Sequence, residues 1–106
     1  MSKTIRFQFA LGATFLLAVA IGAAQSGEAT YKAKCLMCHG ATGMADSGAG
    51  KAMHVKPVTD PDVKKMSEAQ MIAAVTNGMG KMQPFKGRLS DAQIKESVTY
   101  FRGFIK

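Results

Sequence analysis

The pentapeptide Cys35-Leu36-Met37-Cys38-His39, CLMCH, contains both cysteines of the chain. Two cysteines separated by two residues have three common uses: a redox dithiol, half of a zinc site, or an anchor for haem. Each use makes demands on the rest of the chain, and those demands discriminate between them.

A thioredoxin-like dithiol needs a strand before it and a βαβ setting. A zinc site needs four ligands. This chain offers two cysteines and two histidines, His39 and His54, and one of the histidines touches the motif. A plain disulfide suits an oxidising compartment but leaves the adjacent histidine without a role. Haem attachment uses every residue. Cys35 and Cys38 add their sulfurs to the two vinyl groups, and His39 follows directly as a ligand to the iron.

The compartment agrees. Lys3 and Arg6 precede an uncharged apolar run that ends in Gly22-Ala23-Ala24. A positive start, an apolar middle and a small-residue end make a secretory signal. It divides the chain into a leader, residues 1–24, and a domain, residues 25–106. Ala20 and Ser26 are other possible cut sites. The competing reading is a retained anchor. A spanning helix needs about 20 apolar residues, a length this run reaches only with Gln8, Gln25 and Ser26 counted. The functional part is therefore periplasmic, or membrane-anchored if the leader stays. With cleavage no membrane span remains.

A chain of 106 residues has room for one small domain. A domain over residues 25–106 buries too little surface to be comfortable alone and calls for a staple or a cofactor. A single cysteine pair closing a tiny loop supplies little. The net charge of +7 is scattered, with no dense basic run. That argues against a nucleic-acid partner and leaves room for an acidic protein surface.

Helix signals recur along the chain, and no strand pattern or repeat does. Ser26-Gly27-Glu28 opens a helix running towards Cys35. Asp60-Pro61-Asp62 is a cap followed by a proline at the first helical position, and starts a short helix through Met66. Ser67-Glu68-Ala69-Gln70 is a capping box, and Asn77-Gly78 ends its helix. Ser90-Asp91-Ala92-Gln93 is a second box. It precedes an apolar stripe of Ile94, Val98, Phe101 and Ile105, at spacings of four, three and four. The class is all-α, with short helices and two long loops, Gly40 to Thr59 and Gly78 to Leu89. Loops this long in a small domain wrap something or do something.

An iron held by His39 has a second face. A strong ligand there makes an electron carrier, and an open site binds gases or peroxide. The candidates are Met82, Met79 and His54. In NGMGKMQPF, residues 77–85, glycines follow a helix end and Met82 precedes Pro84 and Phe85. That is a stiff loop suited to presenting a thioether, and it favours Met82. Met37, Met44, Met53, Met66 and Met71 are read as gap-fillers of the core. His54 is read as a loop histidine, and it is also the route to bis-histidine ligation.

Over Gly27 to Ile105 the chain resembles the class I cytochromes c, in particular the small single-haem bacterial ones. The resemblance rests on C-x-x-C-H at residues 35–39, Gly27 and Tyr31 before it, and a glycine-rich turn near Gly48 to Met53. It continues in the Met82 loop and in Tyr100, with Phe101 beside it, in the last helix. It implies a small all-α fold of three to five short helices and long loops around one covalent haem c, with first and last helices crossing. Axial ligation would be by His39 and Met82. The function implied is electron transfer between membrane or periplasmic redox proteins. Two departures stand out. Gln83 intervenes where the family has proline directly after the methionine. Lys51 stands where a proline carbonyl accepts a hydrogen bond from the ligating histidine.

The expected protein is thus a monomeric electron carrier and not an enzyme. Lys51, Lys81, Lys86 and Arg88 lie in or near the loops around the haem edge, suited to redox partners with acidic docking surfaces. The alternatives are a haem-based sensor or peroxidase-like enzyme with a labile sixth ligand, and a thiol-redox module without haem.

Overall fold

The computed structural model describes Gly12 and residues 26–106, so the leader and its cut after Ala24 lie outside the described residues. Each longer helix begins at a side chain that caps it. Ser26 accepts from the Ala29 amide, 3.2 Å, and opens α1, Gly27–Lys34. Glu28 lies in its first turn and Lys32 and Lys34 in its last, as the helix dipole favours. After Cys35 the chain turns into α2, Leu36–His39, a single turn that carries most of the cysteine motif. Next comes α3, Gly48–Ala52, capped by Ser47. Asp60 caps α4, Pro61–Lys65, with Pro61 at its start. Ser67 and Gln70 form a complete capping box for α5, Glu68–Asn77. Ser90 and Gln93 do the same for α6, Asp91–Arg102.

The described residues therefore form six α-helical segments, all-α as expected, with the extra ones being the short α2 and α3. The segment α3 falls inside the expected loop. Its sequence, GAGKA, carries no apolar stripe, and tertiary contact rather than propensity holds it. The last helix stops at Arg102, and Ile105 follows in a turn, its amide on the Arg102 carbonyl at 3.0 Å. No described helix is long and apolar enough to cross a membrane.

First and last helices cross with their backbones in contact. A Cβ on Gly27 would lie 2.1 Å from the Glu96 carbonyl oxygen, so only a glycine permits this approach. Tyr31, 1% exposed, fills the space beside the crossing. Its ring centroid is 5.3 Å from that of Tyr100, 5.7 Å from Phe104 and 6.2 Å from Phe101. Such ring pairs add about 0.5–1.5 kcal/mol beyond area burial. Ile94 and Val98 of α6 complete this core, with Met71 of α5 and Val58 of the loop. Arg102 fixes the far end of α6 by donating to the Met66 carbonyl, 2.9 Å.

The helices pack in two branches. Both α1 and α5 pack on α6, while α2 packs on α1 and α3, and α2 makes no contact with α5. The crossing pair is thus the frame from which the cysteine motif and the α5 end are held separately.

Candidate cofactor site

The motif is held by its backbone. The His39 amide donates to the Cys35 carbonyl at 2.9 Å, and the Gly40 amide to Leu36 at 2.8 Å. Cys35, Cys38 and His39 therefore share one helical turn. The carbonyls at the end of that turn, which a helix end leaves orphaned, are met from outside. The Ser47 hydroxyl donates to Met37, 2.6 Å, and the Ala45 amide to His39, 2.8 Å. The Tyr31 hydroxyl donates to Gly40. Segment α3 lies against the motif so closely that a Cβ on Gly50 would come 2.4 Å from the Cys38 carbonyl oxygen. The loop from Gly40 is thus the second layer of the motif.

Cys35 and Cys38 are half-buried free thiols. Burial, and secondarily the neighbouring Cys38, pushes the Cys35 thiol up to about 11. Redox-active cysteines have the opposite tendency, towards ready ionisation. No three His, Cys, Asp or Glu side chains gather as a metal site among the described residues, which counts against zinc.

His39 is held as neutral imidazole, because burial lowers its pKa below the ordinary value. That is the form that ligates metals. Its ring stands edge-on to Phe101, centroids 5.3 Å apart. Its Nδ1 is buried without a hydrogen-bond partner among the described residues. The carbonyl of Lys51, which stands at the place of the family's proline, receives the His54 amide, 3.2 Å. Buried polar atoms are rarely left unpaired, and an orphan marks a strained or functional place. A neutral, half-buried imidazole with an orphan nitrogen, beside two thiols on the same turn, fits a covalently held haem.

The methionine loop is a small closed device. After α5 ends, Gly78 (φ 80°, ψ 161°) turns the chain into a hairpin. The Met79 amide donates to the Met82 carbonyl at 3.2 Å, and the Met82 amide to the Met79 carbonyl at 2.9 Å. Gly80, with φ 55°, forms the corner. The base is closed by the Phe85 amide on the Val75 carbonyl, 2.9 Å, and the Lys86 amide on Thr76, 3.1 Å. These two bonds also satisfy carbonyls that the end of α5 would otherwise leave open. Directly opposed residues of an antiparallel pair project to the same side. Met79 and Met82 therefore share a face, but Met82 is half-buried and Met79 is 59% exposed. His54 is exposed, in a left-handed conformation (φ 53°) after α3.

The other methionines correct the expectation of gap-filling. Met71 is buried and Met66 half-buried, but Met37, Met44 and Met53 are exposed. Those three lie in the motif and in the glycine-rich loop, where no helical stripe directs them inward. Sequence reading also missed the carbonyl partners Ser47 and Tyr31, whose bonds span distant parts of the chain. Lys51, Lys81, Lys86 and Arg88 are all exposed. Gln83 accepts a hydrogen bond from Arg88, 2.9 Å, and Arg88 lies over the Phe85 ring, 5.3 Å from its centroid.

Residues 22–101 match the family described as cytochrome c oxidase, cbb3-type, subunit III. The chain is 40% identical over 77 residues to a cytochrome c6 of Leptolyngbya boryana, covering 73% of this chain and 87% of the relative. A cytochrome c6 of Nostoc sp. is 31% identical over 100 residues, covering 92% of this chain and 81% of the relative. Among solved structures, the KustC0563 c-type cytochrome superposes with a TM-score of 0.69 at 29% identity, covering 76% of this chain and 99% of that one.

Proposed function

The chain belongs to the class I c-type cytochromes, electron carriers and not enzymes, and from that membership we propose a carrier with one covalent haem, ligated by His39 and Met82. When bound, the haem supplies the one-electron couple of its iron. Cys35 and Cys38 would hold it by thioether bonds. His39 is already neutral and needs to lose no proton to ligate. Met82 would offer a soft thioether, which favours reduced iron and raises the potential. The half-burial of Met82, against the 59% exposure of its hairpin partner Met79, supports this choice of sixth ligand.

The observation that carries the reading is the folded motif. Two thiols and a neutral, half-buried imidazole share one helical turn, and the carbonyls of Met37, His39 and Gly40 at its end are met by Ser47, Ala45 and Tyr31. The domain would be residues 25–106, released into the periplasm on removal of residues 1–24, and monomeric. Exposed Lys51, Lys81, Lys86 and Arg88 would draw it to acidic faces of its redox partners.

The test is the absorption spectrum of the protein exported from a host with haem-maturation machinery, beside a Met82→Ala variant. The expected wild type has covalent low-spin haem and the weak long-wavelength sulfur-to-iron band, which the variant loses. A wild type without the band would refute methionine ligation. Absence of covalent haem would refute the reading of the cysteine motif.

A further inference from the structure

The flanks of Met82 differ in stiffness. Before it come two turn glycines, Gly78 and Gly80, both at positive φ. After it, Phe85 is anchored, its amide bonded to the end of α5, and Pro84 is locked by its ring. Gln83, between Met82 and this anchor, is kept extended by the proline that follows it, and its backbone makes no hydrogen bond to the other described residues. Where the first and last helices are held by close backbone packing, this segment is exposed and needs a restraint of its own.

Arg88 supplies one. Its Nη1 donates to Gln83 Oε1 at 2.9 Å, and its Cζ stands 5.3 Å from the Phe85 ring centroid. Its own amide donates to the Phe85 carbonyl, 2.9 Å. One side chain therefore spans from the anchored Phe85 to Gln83 and closes a ring over the residue adjacent to Met82. A planar guanidinium can stack on an aromatic face and donate in its plane at once, which an ammonium cannot.

We propose that Arg88 is a positioning residue for Met82, acting through Gln83 to restrain the methionine loop at the place where the chain lacks a proline. The proposal rests on Met82 being the sixth ligand. It makes Arg88 more than one of several docking cations, because its effect is present with no partner in solution.

The test is stopped-flow binding of imidazole to the ferric holoprotein at fixed pH and salt, where entry waits for Met82 to leave. The variants are Arg88→Ala, Gln83→Ala, the double variant and Gln83→Glu. Arg88→Ala and Gln83→Ala each speed imidazole entry by roughly two- to tenfold, the worth of one exposed hydrogen bond and its stacking. The double variant is no faster than the faster single one, since both break one link. Gln83→Glu keeps an acceptor for the guanidinium and stays at or below the wild-type rate. All variants retain the resting sulfur-to-iron band, which shows that the loop is intact. Wild-type rates in both single variants, or effects that multiply in the double one, overturn the clamp while leaving Met82 as ligand. A wild type with no such band overturns the ligation and the clamp together.

Discussion

Gly78→Ala tests how the methionine loop is held. Gly78 sits at φ 80° and ψ 161°, a region open almost only to glycine, and another residue there costs on the order of 1–3 kcal/mol. The added Cβ would also meet the Met82 carbonyl oxygen at 2.8 Å and the Pro84 nitrogen at 3.1 Å. Both are backbone atoms, so neither can swing aside, and overpacking of this kind costs about 1–3 kcal/mol. With partial relaxation the strain comes to about 2–5 kcal/mol, against a total stability on the order of 4–12 kcal/mol for a domain of this size. Of the two neighbours, α5 is the stiffer, with a complete capping box and Met71 buried. The hairpin is held at its base by two hydrogen bonds, so the hairpin yields and carries Met82 with it. The expected outcome is loss of the sulfur-to-iron band and a melting midpoint lower by roughly 8–40 °C. Gly80→Ala is the internal control. A Cβ there meets nothing within 4 Å, so only the left-handed backbone cost of roughly 1–2 kcal/mol remains, and the band should persist. A Gly78→Ala protein with full band intensity and a wild-type melt would falsify the claim that this glycine sets the loop.

The helix crossing gives a second comparison. Gly27→Ala drives a Cβ against the Glu96 carbonyl and should destabilise by about 1–3 kcal/mol, whereas Gly48→Ala, with nothing within 4 Å, should stay within about 0.5 kcal/mol of wild type by denaturant titration. Tyr31 gives a pH signature. Burial, chiefly, holds its hydroxyl protonated well above the ordinary value of 10.0. The folded state therefore keeps a proton that the unfolded chain gives up. The stabilisation is whole below pH 10.0 and is lost as pH rises beyond it. Tyr31→Phe should lose about 1 kcal/mol at neutral pH, and its difference from wild type should shrink above pH 10.0. An unchanging difference would show that the hydroxyl is not protected. Electron transfer to an acidic partner should slow as ionic strength rises. A rate that is flat in salt would remove the docking role of Lys51, Lys81, Lys86 and Arg88.

What the sequence revealed and what it hid divide along a physical line. Caps are local chemistry, so Ser26, Asp60, Ser67 and Ser90 announced their helices, and each cap is formed. The aromatic and glycine pattern of the crossing, Gly27, Tyr31 and Tyr100, was legible through family resemblance. Segment α3 was not, because it is short, two of its five residues are glycine, and Gly50 is placed by its close approach to Cys38. The exposure of Met37, Met44 and Met53 was hidden for a similar reason. A methionine in an irregular loop, as Met44 and Met53 are, or in a single helical turn, as Met37 is, carries no periodicity to say which way it faces. Nor could spacing reveal that the Lys51 carbonyl accepts from the His54 amide, that His39 Nδ1 has no partner among the described residues, or that Arg88 reaches back to Gln83.

The crossing of α1 on α6 also orders events in time. For a chain threaded N-terminus first, residues 35–39 emerge while residues 91–102 are still to come. Helix α1 has its main packing partner only when the final segment arrives, because the face around Tyr31 is completed by Tyr100, Phe101 and Phe104. The thiols are therefore reachable before the domain can close over them. The same topology means that a chain cut short before α6 keeps an accessible Cys35-to-His39 segment yet lacks the means to bury it.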